Sequence, residues 1–210
     1  MEFKSEEVKA QIIDTSVKLF LKSGIKRVTM DDIAHEMGIS KKTIYLHFKD
    51  KEEIITTATQ IYMERECEVM KAIRKNATNA VEHLFNLSKM LRESISNMNV
   101  SVLKDMKRYY KKAWAIYQKF ERDVFYKEIE ASLKDGIKEG YFRKEINVGI
   151  LSSLRLTEIQ MSFDNEYFDH NNFTLYDIQH QLLEHFTYGI LSDKGLELFN
   201  TYKKQLIHEK

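Results

Sequence analysis

Apolar residues recur along this chain at steps of three and four, the period of a helix rather than of a strand. Val8, Ile12, Leu19 and Phe20 share one helical face. The helix should begin at Ser5, an N-cap residue followed by Glu6 and Glu7 at the positive end of the helix dipole. Gly24 should end it as the left-handed residue just past the last turn. Thr29 opens a second helix, with Asp32 three residues on in a capping-box arrangement. Ile33, Ala34 and Met37 form its inner face, and Gly38 stops it. Ser40 caps a short third helix, from Lys41 to about His47, with Ile44 and Phe48 facing inward. Asp50 begins a fourth, with Glu53 at the box position and no breaker before Asn76–Asn79. That helix runs about 25 residues, or ~38 Å at ~1.5 Å per residue.

The helical pattern continues through Val81, Leu84, Leu87, Leu91 and Ile95, breaks near Asn97–Ser101, and resumes with Leu103, Met106, Tyr110, Trp114, Tyr117, Phe120, Val124 and Ile129. Gly140 ends this run, and no breaker marks where residues 103–112 separate from 113–139. Asn147 is a plausible cap for a helix carrying Ile150, Leu151, Leu154 and Met161. Thr174, with Asp177 at the box position, opens another that carries Leu175, Ile178, Leu182, Phe186 and Ile190. The chain therefore reads as all-α, without a repeat at a solenoid period or a low-complexity tract.

Composition reinforces this reading. Among 210 residues there is no proline and there are only seven glycines, which argues against a loop-rich β protein or a proline-rich linker. The lone Cys67 cannot form an internal disulfide. The first ten residues lack the basic start and apolar run of a signal peptide, and no apolar stretch approaches the ~20 residues that span a bilayer. The expectation is a cytoplasmic protein with no membrane partner. Net charge is +1 overall but unevenly placed: +2 over residues 1–51, −4 over 52–70, +8 over 71–144 and −5 over 145–210. Such a distribution fits local rather than bulk attraction to an anionic partner. Lys41, Lys42, Lys49 and Lys51, against Asp50 alone, form the sharpest cluster near the N-terminus.

Residues 29–48 are the most specific feature. Two short helices joined by Gly38-Ile39-Ser40 make a helix-turn-helix, in which small Ala34 allows close approach and Gly38 a tight turn. The second helix displays Lys41, Lys42, Thr43, Tyr45 and His47, donors and one aromatic suited to a major groove. The stretch VTMDDIAHEMGISKKTIYLHFKDKEEII (28–55) resembles the TetR family of transcriptional regulators, with Tyr45, His47, Phe48 and Lys51 all in place. The resemblance is strong over about residues 8–56. Beyond that it is architectural, including DGIKEGYFRKE (135–145) and TYGILSDKG (187–195).

The resemblance implies a DNA-binding domain of three helices over residues 1–51 and a helical effector-binding and dimerisation domain over 52–210. Lys41 and Lys42 match the opening of the recognition helix. Thr43 and Tyr45 match positions that touch bases or phosphates, and His47 and Lys51 match phosphate contacts. Thr29 matches a backbone-positioning contact, and the amide of Lys51 lies at a favourable helix end. The middle helices, with the fourth, would enclose a ligand cavity. Met90, Met106, Tyr110, Trp114, Tyr117, Phe120 and Met161 are the lining candidates, although an aromatic stripe at this spacing is also what ordinary core shows. The two late helices would pair with their mates in a homodimer, through Leu151, Leu154, Ile178, Leu182, Phe186, Gly189 and Ile190. Two-fold symmetry would then set a palindromic double-stranded operator.

Other chemistry finds little support. Lys104, Lys107, Arg108, Lys111 and Lys112 share one helical face, either to attract an anionic effector, to sit near DNA flanking the operator, or as a solvated face. His180, Glu184 and His185 lack a further metal ligand of convincing spacing. No phosphate-binding glycine loop appears, and Cys67 has no neighbouring base. The expected function is a homodimeric regulator, a repressor released by a small, largely apolar ligand, without cofactor, metal or enzymatic activity. The alternatives are a helical ligand carrier or enzyme that keeps the motif only as a corner, and a regulator controlled by a protein partner.

Overall fold

The computed structural model describes residues 2–95 and 98–208, and these fold into helices with a single isolated β-bridge. Helix α1 (Glu2–Ser23) starts ahead of Ser5, which lies inside it, and ends at Gly24 with φ +84°. Helices α2 (Met30–Met37) and α3 (Lys41–Tyr45) follow, then α4 (Lys51–Asn76), unbroken for 26 residues. Helix α5 spans Ala80–Ile95.

The undivided run after residue 101 resolves into several elements. Helix α6 (Ser101–Tyr109) stops because Tyr110 leaves the helical region, at φ −126° and ψ 72°. Helix α7 (Lys111–Phe120) then passes through a π-helical turn (Glu121–Phe125) into α8 (Tyr126–Lys138). The break at Tyr110 corrects the expected basic stripe: Lys104, Lys107 and Arg108 lie on α6, and Lys111 and Lys112 on α7. The Lys111 ammonium instead donates to the Lys107 carbonyl at 2.7 Å, closing the open end of α6. Helices α9 (Val148–Met161) and α10 (Leu175–Ile190) begin at Asn147 and Thr174, whose side chains cap them as expected. Helix α11 (Asp193–His208) is a further element that the periodicity did not separate.

The chain packs as two units, one of Met1–Glu66 with Asn97–Phe120, the other of Cys67–Ser96 with Glu121–Lys210. The core of the first joins Ile12, Phe20, Ile33, Ile44, Phe48 and Ile54 to Val102, Met106 and Ala113. Burial of these side chains is what stabilises α2 and α3, which are too short to persist alone. The core of the second gathers Val81, Ile129, Leu133, Phe186 and Ile190 around Phe142. Phe142 lies against Gly136, where any side chain would meet its ring, and pairs with Leu191 in the β-bridge. Hydrogen bonds from Arg143 N to Ile190 O and from Ser192 N to Tyr141 O, both 2.9 Å, fasten the turn after α8 to the end of α10.

Candidate nucleic-acid interface and effector cavity

Local chemistry fixes the geometry of α2 and α3. Thr29 Oγ1 accepts from Asp32 N at 3.2 Å, and the Asp32 carboxylate accepts from Thr29 N at 2.7 Å, a complete capping box. The hydrogen bond from the Thr29 hydroxyl, then that from its amide, holds the Asp32 carboxyl below its ordinary range. Gly38, at φ +64°, donates to His35 O at 3.0 Å, while Ile39 N donates to Ala34 O at 3.0 Å. Only a residue comfortable at positive φ turns the chain this tightly between the two helices. Ser40 Oγ then accepts from Thr43 N at 3.1 Å, starting α3. Ile33 and Ile44 are fully buried and Phe48 nearly so, which pins the two helices through a shared apolar seam.

The opposite side of α3 is open. Lys41, Lys42 and Tyr45 are exposed, as is Thr29, while Thr43 and His47 are half-buried. Lys41 pairs with Asp31 of α2 at 2.9 Å, a solvent-exposed contact that orients its ammonium. Leu46 is 75 % exposed, an apolar side chain beside these donors that the pattern reading did not single out. Lys51 differs from the other candidates. Its ammonium turns inward, donates to Ile25 O at 2.6 Å and lies 5.8 Å from the centre of the Phe20 ring. Burial lowers the pKa of this lysine, and Asp105 and Asp32 only partly counter that. Its amide still stands in the first turn of α4, where the unpaired N–H groups of a helix start attract anions.

The second unit contains a cavity of about 30 Å³. Leu84, Leu87 and Leu91 of α5 line it, with Ile129 and Leu133 of α8, Ile159 of α9, Leu183 and Phe186 of α10, and Phe125 from the π-helical turn. Three polar residues reach this lining, Ser88, Ser132 and Arg155. Ser88 Oγ donates to Leu84 O at 2.5 Å, and Ser132 Oγ lies 3.2 Å from Nδ1 of the buried His83. Arg155 Nη1 donates to Glu158 at 3.2 Å and Nη2 to Gln179 Oε1 at 3.2 Å. Arg74 at the end of α4 donates to Glu128 at 2.5 Å and to Asp135 at 2.7 Å, both on α8.

None of the seven lining candidates borders this cavity. Met106 is buried in the core of the first unit, where Tyr110, Trp114 and Tyr117 also pack, the last two stacked at 5.2 Å. Phe120, Met90 and Met161 are half-buried. Sequence reasoning missed Arg155, although one signal was present: it is the sole charged residue between Glu145 and Glu158. An isolated cation in so apolar a helix has to be exposed or partnered.

The dimerisation candidates divide in the same way. Ile178, Phe186 and Ile190 are buried inside their own chain. Leu151 is half-buried against the core of its unit, and Leu182 is half-buried. Leu154 is exposed, and Gly189 faces open space. The difference arises because α10 carries apolar side chains on more than one face, so periodicity alone does not choose the inner one. The large apolar side chains left outside on α9 and α10 are Ile150, Leu154, Tyr176 and Tyr188.

Among the described residues, no group of three or more His, Cys, Asp or Glu side chains is placed to hold a metal ion. Glu184 instead pairs with Lys203, and His180 stacks on Tyr176 at 6.1 Å. No helix among them is long and apolar enough to cross a membrane.

A capped two-helix corner that buries one side and presents lysines, a tyrosine and hydroxyls on the other is the reading head of a helix-turn-helix DNA-binding protein. Residues 12–58 match the family TetR_N, bacterial regulatory proteins of the tetR family. Over this segment the chain carries the N-terminal DNA-binding module of the tetR family of bacterial regulatory proteins. It is 43 % identical over 70 residues to the HTH-type transcriptional regulator YerO of Bacillus subtilis (strain 168), a match covering 33 % of this chain and only 24 % of YerO. It is 22 % identical over 185 residues to YvaF of the same organism, covering 88 % of this chain and 96 % of YvaF. Its fold is shared by a TetR-family regulator from Agrobacterium tumefaciens, with a TM-score of 0.77 at 12 % identity, over 90 % of this chain and all of that one.

Proposed function

We propose that this DNA-binding regulator is a homodimeric repressor that leaves a palindromic operator when a small, largely apolar effector binds. Residues 1–51 would read DNA, and residues 52–210 would sense the effector and pair the subunits. The observation that carries the reading is the exposed side of α3, held rigid by its caps and by buried Ile44. In this reading Lys41, Lys42, Thr43 and Tyr45 meet base edges and phosphates, and Thr29 and His47 position the backbone. Lys51 serves through its amide, because its ammonium is engaged with Ile25. The exposed apolar residues Ile150, Leu154, Tyr176 and Tyr188 on α9 and α10 support a subunit interface, with open space at Gly189 where a partner could approach closely.

The effector reading rests on the apolar cavity of the second unit. Arg74 ties the end of α4 to α8, one wall of that cavity, and the same helix begins six residues after α3 ends. A ligand that widened the cavity would act on α4, and release requires it to favour one arrangement of the reading heads over another. The working compartment would be the cytoplasm, with the chromosome as partner.

Fluorescence anisotropy with a duplex from upstream of the protein's own gene tests the reading. The expected outcome is a complex that weakens steeply with salt, because phosphate contacts release counterions. Footprinting should show two symmetric half-sites about one helical turn apart. Absence of binding, or binding indifferent to salt, would overturn it.

A further inference from the structure

The lining of the cavity is apolar except for two serines already engaged and one guanidinium. Arg155 is 4 % exposed, and a charge so placed is costly unless oxygen acceptors surround it. The chain supplies two partners by design of the network. Gln179, itself fully buried, donates through Nε2 to Ile159 O at 3.3 Å and Ser162 Oγ at 2.6 Å. Those bonds orient the amide so that its carbonyl oxygen faces Arg155. Glu158 supplies an opposing charge, and the Phe186 ring lies 5.9 Å from the guanidinium carbon.

Arg155 borders the cavity, and Glu158 does not. Burial lowers the Arg155 pKa to about 10, Glu158 partly counters this, and Arg92 lowers it further. Burial likewise raises the Glu158 carboxyl, and Arg155 and His185 only partly restore it. Among the residues that line the cavity, Arg155 is the one that carries a charge. A guanidinium carries five N–H donors in a flat fork that matches a carboxylate.

We propose that the effector of this site is an amphiphilic monocarboxylate, its apolar body in the cavity and its carboxylate on the Arg155 guanidinium. This rests on the reading of the second unit as the effector site, and adds to it the charge and head group of the effector. The cavity as it stands is smaller than any such ligand, so binding widens the seam between α5, α8 and α10.

Decanoate, 1-decanol and decyltrimethylammonium, which share an apolar chain and differ in the charge of the head, separate the possibilities when titrated calorimetrically into the full chain below their micelle concentrations. Decanoate should bind about tenfold or more tightly than decanol, the scale of one hydrogen-bonded charged contact. Decyltrimethylammonium should not bind. Arg155→Lys should weaken decanoate but leave decanol unchanged. The double variant Arg155→Met/Glu158→Met, which leaves no charge of the pair behind, should bind both alike. Equal binding of acid and alcohol by the parent chain, preference for the cation, binding of none of the three, or decanoate affinity kept in the double variant would each overturn the proposal. Operator binding by the unliganded chain, measured alongside, separates this failure from failure of the regulator reading. Intact DNA binding with no acid preference defeats only the head-group assignment.

Discussion

Around α2 and α3 the polar groups are held by neighbours three to five residues away: Thr29 with Asp32, Ile39 with Ala34, and Ser40 with Thr43. Around the cavity the partners are distant in sequence. Arg155 meets Gln179 at a separation of 24 residues, His83 meets Ser132 at 49, and Arg74 meets Glu128 at 54. The reading head is thus locally determined and closely packed. The cavity depends on four helices arriving together, and they leave unfilled space where they meet. Under the proposed function, the contrast suits a head that must keep one shape for DNA and a sensor that must be able to change its own.

The largest expected effect tests the rigidity of the head. Ile44 is fully buried between α2, α3 and the rest of its core, so Ile44→Ala should destabilise the protein by about 2–5 kcal/mol in urea unfolding. Operator binding should fall with it. A loss well under 1 kcal/mol would mean that α3 is not held as its burial implies.

Next in size is a pair of enlargements. Ala34→Leu adds volume where α2 and α3 approach closely and should cost about 1–3 kcal/mol. Leu87→Phe adds volume at a wall of the 30 Å³ cavity, where space exists, and should change stability by less than about 1 kcal/mol. It should also block ligand binding. Equal costs at the two sites would remove the distinction between a filled and an unfilled core.

The same contrast explains what could be read from the amino-acid order. Caps at Thr29, Ser40, Asn147 and Thr174, and the left-handed turns at Gly24 and Gly38, are side-chain-to-backbone or backbone effects within a few residues, so residue type and spacing were enough. The break at Tyr110 and the π-helical turn at Glu121–Phe125 have no such signature, since neither glycine nor proline marks them. The core-facing side of α10 was ambiguous because Tyr176 and Tyr188 add apolar side chains outside the stripe of Ile178, Leu182, Phe186 and Ile190. The role of Arg155 needed Gln179 and Phe186, which only the fold brings to it. In the reading head, periodicity put Lys41, Lys42 and Tyr45 on the exposed side, with Thr43 and His47 half-buried, but did not give the direction of a long flexible side chain. Lys51 turns inward because Ile25 O and the Phe20 and Tyr110 rings lie within its reach.

A smaller effect separates the two regions by salt. Lys42→Ala should weaken operator binding about tenfold and lower the salt slope by about one, with no change in the unfolding midpoint. Arg155→Lys should leave that slope unaltered, because a group buried in the second unit releases no counterion on DNA. A changed slope in the Arg155 variant would break the separation of reading from sensing.

The smallest effect appears only in acid. Burial alone would raise the Glu128 carboxyl, but hydrogen bonds from His83 and Arg74 outweigh it and hold the group below its ordinary value. A carboxyl whose pKa is depressed on folding stabilises the native state above its unfolded value, about 4.3. That contribution is lost as the pH falls through the lower, folded value. Unfolding midpoints of the parent chain and of Glu128→Gln should therefore differ at pH 7 and converge as the pH drops below the ordinary glutamate range. Asp32 in the α2 capping box is depressed too, chiefly through the hydrogen bonds from Thr29. Its variant Asp32→Asn should converge with the parent in the same acid range without altering ligand binding, whereas Glu128→Gln frees Arg74 from one of its two carboxylates and should alter it. Identical ligand affinity in the two variants would show that the tie between α4 and α8 plays no part in sensing.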